Sequence, residues 1–271
     1  AAQTKMSNTF FINWQDPETR RWHPVGKLIR TNGYYIFSYT EGAMSSKNFV
    51  PFGNMADINP VYISTELFPI FANRVMNERR PEFQRYSDWS DMRSPQLSDP
   101  LLLMARMGGS RATDTLQVYP VPEKREDGLY RTSFFCHGLG HMPSQVQEMT
   151  HTLVVGQQLF PMFDVQNPFD HGAVALRTSD PASMIGYCPR YLAADLKLLA
   201  GQPSNSLAIR VQRVNHDAPV QFRLLCEAVS RWPKDFSPCD DDDHRTIPRF
   251  TPEDIVRAVK RQSAVPKRQI R

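Results

Sequence analysis

The chain has 271 residues, a length that accommodates two medium-sized domains or one large one. Hydrophobic residues make up 41% of the chain and charged residues 22%, which is typical of globular proteins and excludes wholesale disorder. No apolar run approaches the roughly 18–20 residues that a membrane span requires. The composition therefore predicts a protein with a packed core and no membrane partner.

The positive charge is concentrated at the C-terminal end. The formal net charge is +4, but residues 245–271 alone hold eight arginines and lysines against two acidic residues. The rest of the chain therefore has a net charge of −2, which argues against a protein that coats duplex DNA through many phosphate contacts. We predict that residues 240–271 form an acidic linker and a basic helical tail, solvated or in contact with nucleic acid.

The four cysteines lie 52, 38 and 13 positions apart, at Cys136, Cys188, Cys226 and Cys239. Without a CxxC pair, this spacing disfavours a zinc site and a disulfide framework, and it predicts reduced thiols in a cytoplasmic protein. His137 and His141 next to Cys136 are too weak a pattern to indicate a metal. No hydrolase, zinc-protease or phosphate-loop motif is present, so we expect neither an enzyme nor a cofactor.

The sequence of the first half of the chain predicts strands followed by helices. Three aromatic and β-branched runs in residues 10–40 predict strands, and the pair Asn32-Gly33 predicts a hairpin between the second and third. Residues 41–63 should be irregular because prolines and a glycine interrupt them. Helices are predicted near 64–75, 81–93 and 99–107, and a strand at 116–122. We place a domain boundary in the polar segment 123–130.

The second half is predicted to be mainly β. Strand patterns occupy 131–142, 153–165, 172–178, 184–189, 207–214 and 220–229. One helix is predicted at 190–200, before Gly201, and another after Thr251-Pro252. Many short strands with one helix among them suggest a small barrel.

Motifs in this second half resemble those of HIRAN domains. The segments FFCHGLGHMPSQ, NPFDHGAVA and GYCPRYLAADL, within residues 131–234, carry the likeness. The resemblance implies an OB-like β-barrel that captures the 3′ end of single-stranded DNA. It also assigns the end-binding positions to Asn167, Phe169 and Asp170, and the path of the nucleotide and its phosphate to Tyr187 and Arg190.

The chemistry of these residues suits such a role. Phe169 can stack a base and Asp170 can accept a hydrogen bond from a terminal hydroxyl, while Arg190 supplies a cation for phosphate. The same residue types also serve as scaffold: Asn167 and Asp170 can fix a turn, and Phe169 can be core. In DNA-capturing members an Arg-Tyr pair follows the first Gly-Leu, where this chain has Gly140 and His141. His141 can take over part of the stacking.

Residues 9–122 resemble the small N-terminal subdomain of HipA-type toxin kinases, which also occurs as a separate antitoxin chain. The segments VGKLIRTNGYYIFSYTEGA and DPLLLMARMGGSRATDTLQVYP carry the likeness, and no kinase body follows. The resemblance implies a protein-interaction domain. The aromatic side chains of this half point the same way if they are exposed, although a loop could cover them: Trp14, Trp22, Tyr34, Tyr35, Phe37 and Tyr39.

Together these patterns predict an α+β protein in three parts. A HipA-subdomain-like α/β module at 9–122 precedes an OB-like HIRAN barrel at 131–234 and the tail at 240–271. The predicted function is a non-enzymatic adaptor that binds single-stranded DNA ends and a protein partner, in DNA damage response, phage or mobile-element defence, or toxin control. The alternative is an antitoxin-like or scaffold module that binds protein but not DNA.

Overall fold

A computed structural model of the chain describes residues 8–92, 99–109, 115–168, 170–203 and 206–263, the side chains of 261–263 excepted. The chain divides into two compact units, each built on an antiparallel sheet with short helices. The first unit combines residues 75–108 with 121–239, and the second combines 8–74 and 109–120 with the C-terminal segment from Asp240. This mixture of helices and curled sheets is compatible with an α+β fold. The units divide the chain differently from the domains predicted above, because segment 75–108 groups with the C-terminal half.

The second unit contains a five-stranded sheet in the order β4-β3-β2-β1-β5. Its strands are β1 (Thr9–Gln15), β2 (Trp22–Thr31), β3 (Tyr34–Tyr39), β4 (Tyr62–Ser64) and β5 (Leu116–Pro120). The one-turn helix α1 (Pro69–Ala72) is all that forms of the helix predicted at 64–75.

The hairpin predicted at Asn32-Gly33 is confirmed. Asn32 and Gly33 both have positive φ, 48° and 80°, which is the conformation that a two-residue turn between twisted strands requires. β2 and β3 pair in register from Thr31 opposite Tyr34 down to Gly26 opposite Tyr39. The sequence signal worked because Asn and Gly are the residues that adopt this backbone at least cost.

The aromatic side chains of this sheet are covered rather than exposed. Phe37 and Tyr39 are completely buried. Loop residue Phe52 packs 6.0 Å from Phe37 and 5.7 Å from Tyr39, measured between ring centroids, and Phe71 of α1 lies 5.6 Å from Phe37. The other four aromatics named above are half-buried. The alternative that a loop covers these rings therefore holds for Phe37 and Tyr39, because the irregular segment 41–63 and α1 supply rings that pack against them.

The first unit contains a six-stranded sheet in the order β6-β11-β10-β7-β8-β9. Its strands are β6 (Leu129–Phe135), β7 (Gln158–Phe163), β8 (Val174–Arg177), β9 (Met184–Tyr187), β10 (Ala208–Val214) and β11 (Leu224–Arg231). Its helices are α2 (Pro81–Trp89), α3 (Pro100–Arg106), α4 (Ser144–Met149) and α5 (Arg190–Ala200).

This sheet curls until its two edges meet. His137, just after β6, and Tyr187, at the end of β9, exchange two backbone hydrogen bonds of 2.8 Å each. Helix α5 packs Leu192, Leu196 and Leu199 into the core that the curled sheet encloses. The sheet thus holds the end of β9, and the α5 residues that follow it, next to the turn after β6. The OB-like topology itself stays a prediction.

Two strand predictions in this unit are wrong at their N-terminal ends. The strand predicted at 220–229 begins only at Leu224, since residues Val220–Phe222 form a 3-10 helix after Pro219. Phe222 contacts the rings of Trp89 and Phe135 instead of facing along a strand. The strand predicted at 153–165 begins at Gln158. Helix α4 carried no clear signal in the sequence.

All four cysteines are buried, and Cys136, Cys188 and Cys226 are free thiols, as predicted. Burial raises the pKa of the Cys136 thiol to about 12, so this group stays protonated at neutral pH. Burial likewise raises the pKa values of Cys188 and Cys226 well above the ordinary value. Thiols of this kind are poor nucleophiles and pack as small apolar groups. In the described part of the chain, no helix has the length and hydropathy to cross a membrane.

The C-terminal segment packs on the sheet of the second unit. The backbone of Thr246 bridges Thr40, and the hydroxyl of Tyr119 lies 2.8 Å from Nε2 of His244. The predicted final helix is confirmed as α6 (Pro252–Ser263), and its Val256 is 4% exposed in a cluster with Ile29 and Ile36. The region therefore contacts the sheet through a few side chains, while most of its acidic and basic side chains are exposed. Residues 264–271 of the predicted tail lie outside the described residues.

Val256→Asp is expected to destabilise the second unit by about 3 kcal/mol or more, because it places an unpaired charge in an apolar cluster. Denaturant unfolding of the full chain measures the change. Arg257→Ala on the same helix is the control: its side chain is 64% exposed and its ion pair with Asp254 spans 3.7 Å, so the change should stay within about 0.5 kcal/mol. Equal effects of the two substitutions would show that α6 is not docked.

Candidate nucleic-acid interface

The candidate site is built on the turn between β7 and β8. The turn is closed at its base by a hydrogen bond of 3.0 Å from the backbone N–H of Asp164 to the carbonyl of Ala173. Inside it, the N–H of Ala173 donates to the carbonyl of Asp170 at 2.9 Å. These bonds fix the positions of Asn167 and Asp170, the two described residues of the NPFD motif with polar side chains.

Asp170 is paired with the cation predicted to act with it. Its Oδ2 lies 3.3 Å from Nε of Arg190, and its Oδ1 accepts the N–H of Gly172 at 2.8 Å. The Asp170 side chain is 20% exposed and the Arg190 side chain 41%. A carboxylate offers about four acceptor positions and a guanidinium five N–H donors, so both groups retain capacity for a ligand.

Asn167 and Tyr187 hold the turn in place. Oδ1 of Asn167 accepts the N–H of Asp170 at 3.1 Å, and its Nδ2 donates to Oδ2 of Asp164 at 3.2 Å and to the Tyr187 hydroxyl at 3.3 Å. The Tyr187 hydroxyl in turn donates to Oδ2 of Asp164 at 3.0 Å. Partial burial, and then this bond to a carboxylate, raise the pKa of Tyr187. These contacts support the scaffold alternative for Asn167, and Tyr187 takes part in the same network.

Arg190 stands at the start of α5, a helix of 11 residues. The preceding Pro189 makes no side-chain cap. The first backbone N–H groups of a helix point outward from its N-terminus. Such an N-terminus favours an anion, and Arg190 adds a full charge to the same place. The sequence thus located the cation correctly at a strand-to-helix junction.

The remaining predicted positions differ in what the structure says of them. Phe169 lies outside the described residues, so its predicted stacking role stays a prediction. His141 ends the 3-10 helix Leu139–His141 and is exposed. That helix follows Gly138, where an added Cβ would lie 3.2 Å from the Tyr187 ring. The turn that bears His141 therefore adjoins the tyrosine of the candidate site.

Sequence reasoning missed three residues of this region, Phe163, Asp164 and Lys197. Asp164 anchors the turn through Asn167 and Tyr187, but an acid just after a strand gave no distinct signal. Lys197 lies two helical turns after Arg190, and its Nζ is 5.8 Å from the ring centroid of Phe163. The seven-residue spacing of the two cations on one helix was the available signal for Lys197.

Two histidines that lie 65 positions apart in the chain are neighbours in the structure. His151 and His216 stack with ring centroids 5.3 Å apart, and their Nδ1 atoms lie 3.1 Å apart. The described residues contain no group of three or more His, Cys, Asp or Glu side chains arranged to hold a metal ion.

Comparisons with known proteins give two structural similarities and no family assignment. No family model and no curated protein matches the chain. A structural-genomics protein from Lactobacillus plantarum is 17% identical with a TM-score of 0.29, covering 38% of this chain and 99% of that protein. The HIRAN domain of human HLTF is 16% identical with a TM-score of 0.27, covering 38% of this chain and 74% of that one. No comparison supports the HipA-like interpretation of residues 9–122.

Proposed function

We propose that this protein is a non-enzymatic nucleic-acid-binding adaptor whose first unit binds the 3′ end of single-stranded DNA. The observation that carries the proposal is the half-exposed pair of Asp170 and Arg190, 3.3 Å apart between a fixed turn and the start of α5. An acceptor and a cation side by side are what a terminal nucleotide requires, since it presents a hydroxyl donor and a phosphate together.

In the Asp170–Arg190 pair, different atoms would bind the phosphate and the hydroxyl of the terminal nucleotide. Arg190 uses Nε toward Asp170, which leaves its two terminal nitrogens for phosphate oxygens. Asp170 has one contact on each oxygen, and the remaining lone pairs can accept a hydroxyl. Phe169, one residue earlier in the chain, is proposed to stack the terminal base.

The finer parts of the proposal rest on the sequence resemblance. They are the OB-like topology of the first unit, a protein partner bound through residues 9–122, and a role in DNA damage response, defence against mobile elements or toxin control. The absence of a nucleophile, general base or cofactor motif in the sequence supports a binding role rather than catalysis.

Arg190→Ala is expected to weaken binding of a single-stranded oligonucleotide by about tenfold or more, because a charge-assisted contact to phosphate is lost. Fluorescence anisotropy with single-stranded and duplex oligonucleotides of the same sequence measures it, and wild type should prefer the single strand. Arg131→Ala is the control, since Arg131 lies on β6 and pairs with Glu227 at 3.1 Å. Tighter binding of the duplex, or unchanged binding by Arg190→Ala, would overturn the proposal.

A further inference from the structure

An exposed aromatic ring stands beside the candidate site. Phe163 is the last residue of β7, directly before the turn that carries Asp170, and it is 46% exposed. Among the large hydrophobic side chains that the described part of the chain leaves exposed, it is the only aromatic one. A ring left in water at a strand end is available to stack on a base.

Lys197 joins this ring to the Asp170 carboxylate. Its Nζ lies 5.8 Å from the Phe163 centroid and 3.9 Å from the position that a Cβ on Gly172 would occupy. Oδ1 of Asp170 lies 3.0 Å from that same position. Lys197 is therefore close to both Phe163 and Oδ1 of Asp170, and the other carboxylate oxygen, Oδ2, pairs with Arg190.

The exposed charge of α5 is positive along its length. Arg190 and Lys197 are its basic residues, seven positions apart and hence on the same face. The only acid of the helix, Asp195, is 3% exposed, and its Oδ1 accepts the backbone N–H of Cys239 at 3.1 Å. Helix α5 thus adds two cations and no exposed carboxylate of its own to a surface that also holds Asp170, and the two cations favour an anionic ligand.

The spacing of the two cations fits a short stretch of single strand. Seven helical residues correspond to a rise of about 10 Å, and stacked nucleotides advance about 3.4 Å each along one strand. The backbone positions of Arg190 and Lys197 on the helix are therefore about three nucleotide steps apart. A terminal nucleotide held at Arg190 would place a more interior phosphate at Lys197 and its base near Phe163.

We infer that Phe163 and Lys197 form a second nucleotide subsite, in which the ring stacks an interior base and the ammonium group meets its phosphate. The inference rests on the proposed function and extends it. The site would be a groove that binds several nucleotides of a single strand, not a pocket for the 3′-terminal nucleotide alone.

The test compares two 5′-labelled probes with free 3′-hydroxyls, a thymidine dinucleotide and an oligomer of about eight nucleotides, by fluorescence anisotropy. Phe163→Ala and Lys197→Ala should each weaken binding of the longer probe by about five- to tenfold and leave the dinucleotide unchanged, since the latter ends before the subsite. Phe163→Trp and Lys197→Arg should restore most of the affinity. Leu198→Ala is the matched control, because Leu198 is 57% exposed on the same helix.

The outcomes distinguish failure of the second subsite from failure of the proposed 3′-end binding. If Arg190→Ala weakens binding of both probes but the Phe163 and Lys197 variants bind both normally, the subsite is wrong and the end site stands. Equal losses for both probes in the Phe163 variant would assign the ring to the end site and overturn a separate subsite. If wild type binds neither probe, both fail. Circular dichroism of each variant checks that the fold is retained.

Discussion

Wild-type protein is expected to bind a short oligonucleotide with a 3′-hydroxyl about 10–100-fold more tightly than the same oligonucleotide with a 3′-phosphate, and Asp170→Ala should abolish this preference. A hydrogen bond from a hydroxyl to a carboxylate contributes about 1.5–3 kcal/mol, which accounts for that factor. A terminal phosphate would instead bring a second anion against Asp170. The measurement is a competition titration with the two oligonucleotides.

Removal of the Asp170 carboxylate should also change the affinity for the 3′-phosphate probe, and in the opposite direction. Without the carboxylate, the repulsion is gone and Nε of Arg190, now 3.3 Å from Oδ2 of Asp170, becomes free to bind phosphate. The 3′-phosphate probe should therefore bind Asp170→Ala more tightly than it binds wild type. Asp170→Asn is the matched control: its amide oxygen can keep the Gly172 contact while the charge is removed. Equal binding of both probes by wild type would exclude capture of the hydroxyl end.

Local signals in the sequence predicted the elements that place this site. The proline and arginine after β9 located the start of α5. A proline before a segment whose apolar residues repeat every 3.6 positions is typical of the beginning of a helix. Asn32-Gly33 fixed the hairpin of the other unit for a similarly local reason. The turn between β7 and β8 was also predicted, since Asn167 and Asp170 are residues whose side chains bond nearby backbone groups.

Contacts between distant parts of the chain could not be predicted this way. The pairing of Asp170 with Arg190 and the position of Lys197 over Phe163 depend on how α5 packs on the curled sheet. The same holds for the 3-10 helix at Val220–Phe222, whose alternating pattern is equally typical of a strand. There the aromatic contacts of Phe222 with Trp89 and Phe135 decided the conformation.

The net charge of the C-terminal segment gave no indication of its contacts with the sheet. Its basic residues suggested a solvated end, yet one apolar side chain, Val256, meets Ile29 and Ile36 of a sheet more than 200 residues earlier in the chain. The acidic run at 240–243 suggested a linker, but His244, the next residue, contacts Tyr119. A helix with few apolar residues can still dock when the partner surface supplies the rest of the cluster.

Closure of the curled sheet depends on a glycine, and Gly186→Ala is expected to cost about 3 kcal/mol or more of unfolding free energy. Gly186 has φ +148°, and an added Cβ would lie 2.4 Å from the carbonyl oxygen of His137 and 2.6 Å from Sγ of Cys136. The methyl group must therefore separate the backbone of His137 from β9, where the two edges of the sheet now meet. Since Tyr187 is the next residue and holds the candidate turn, oligonucleotide binding should fall together with stability.

Gly156→Ala isolates the effect of this close approach. Gly156 also has positive φ, +86°, but no atom lies within 4 Å of the position of its Cβ, so its substitution should cost only the backbone strain of about 1–2 kcal/mol. Denaturant unfolding and anisotropy on the two variants give the comparison. If they unfold alike and bind alike, the meeting of the sheet edges at Gly186 does not position Tyr187. A loss of both stability and binding confined to Gly186→Ala would tie the geometry of the nucleic-acid interface to the closure of the sheet, since the new methyl group meets His137 and Cys136 at Gly186 and no atom at Gly156.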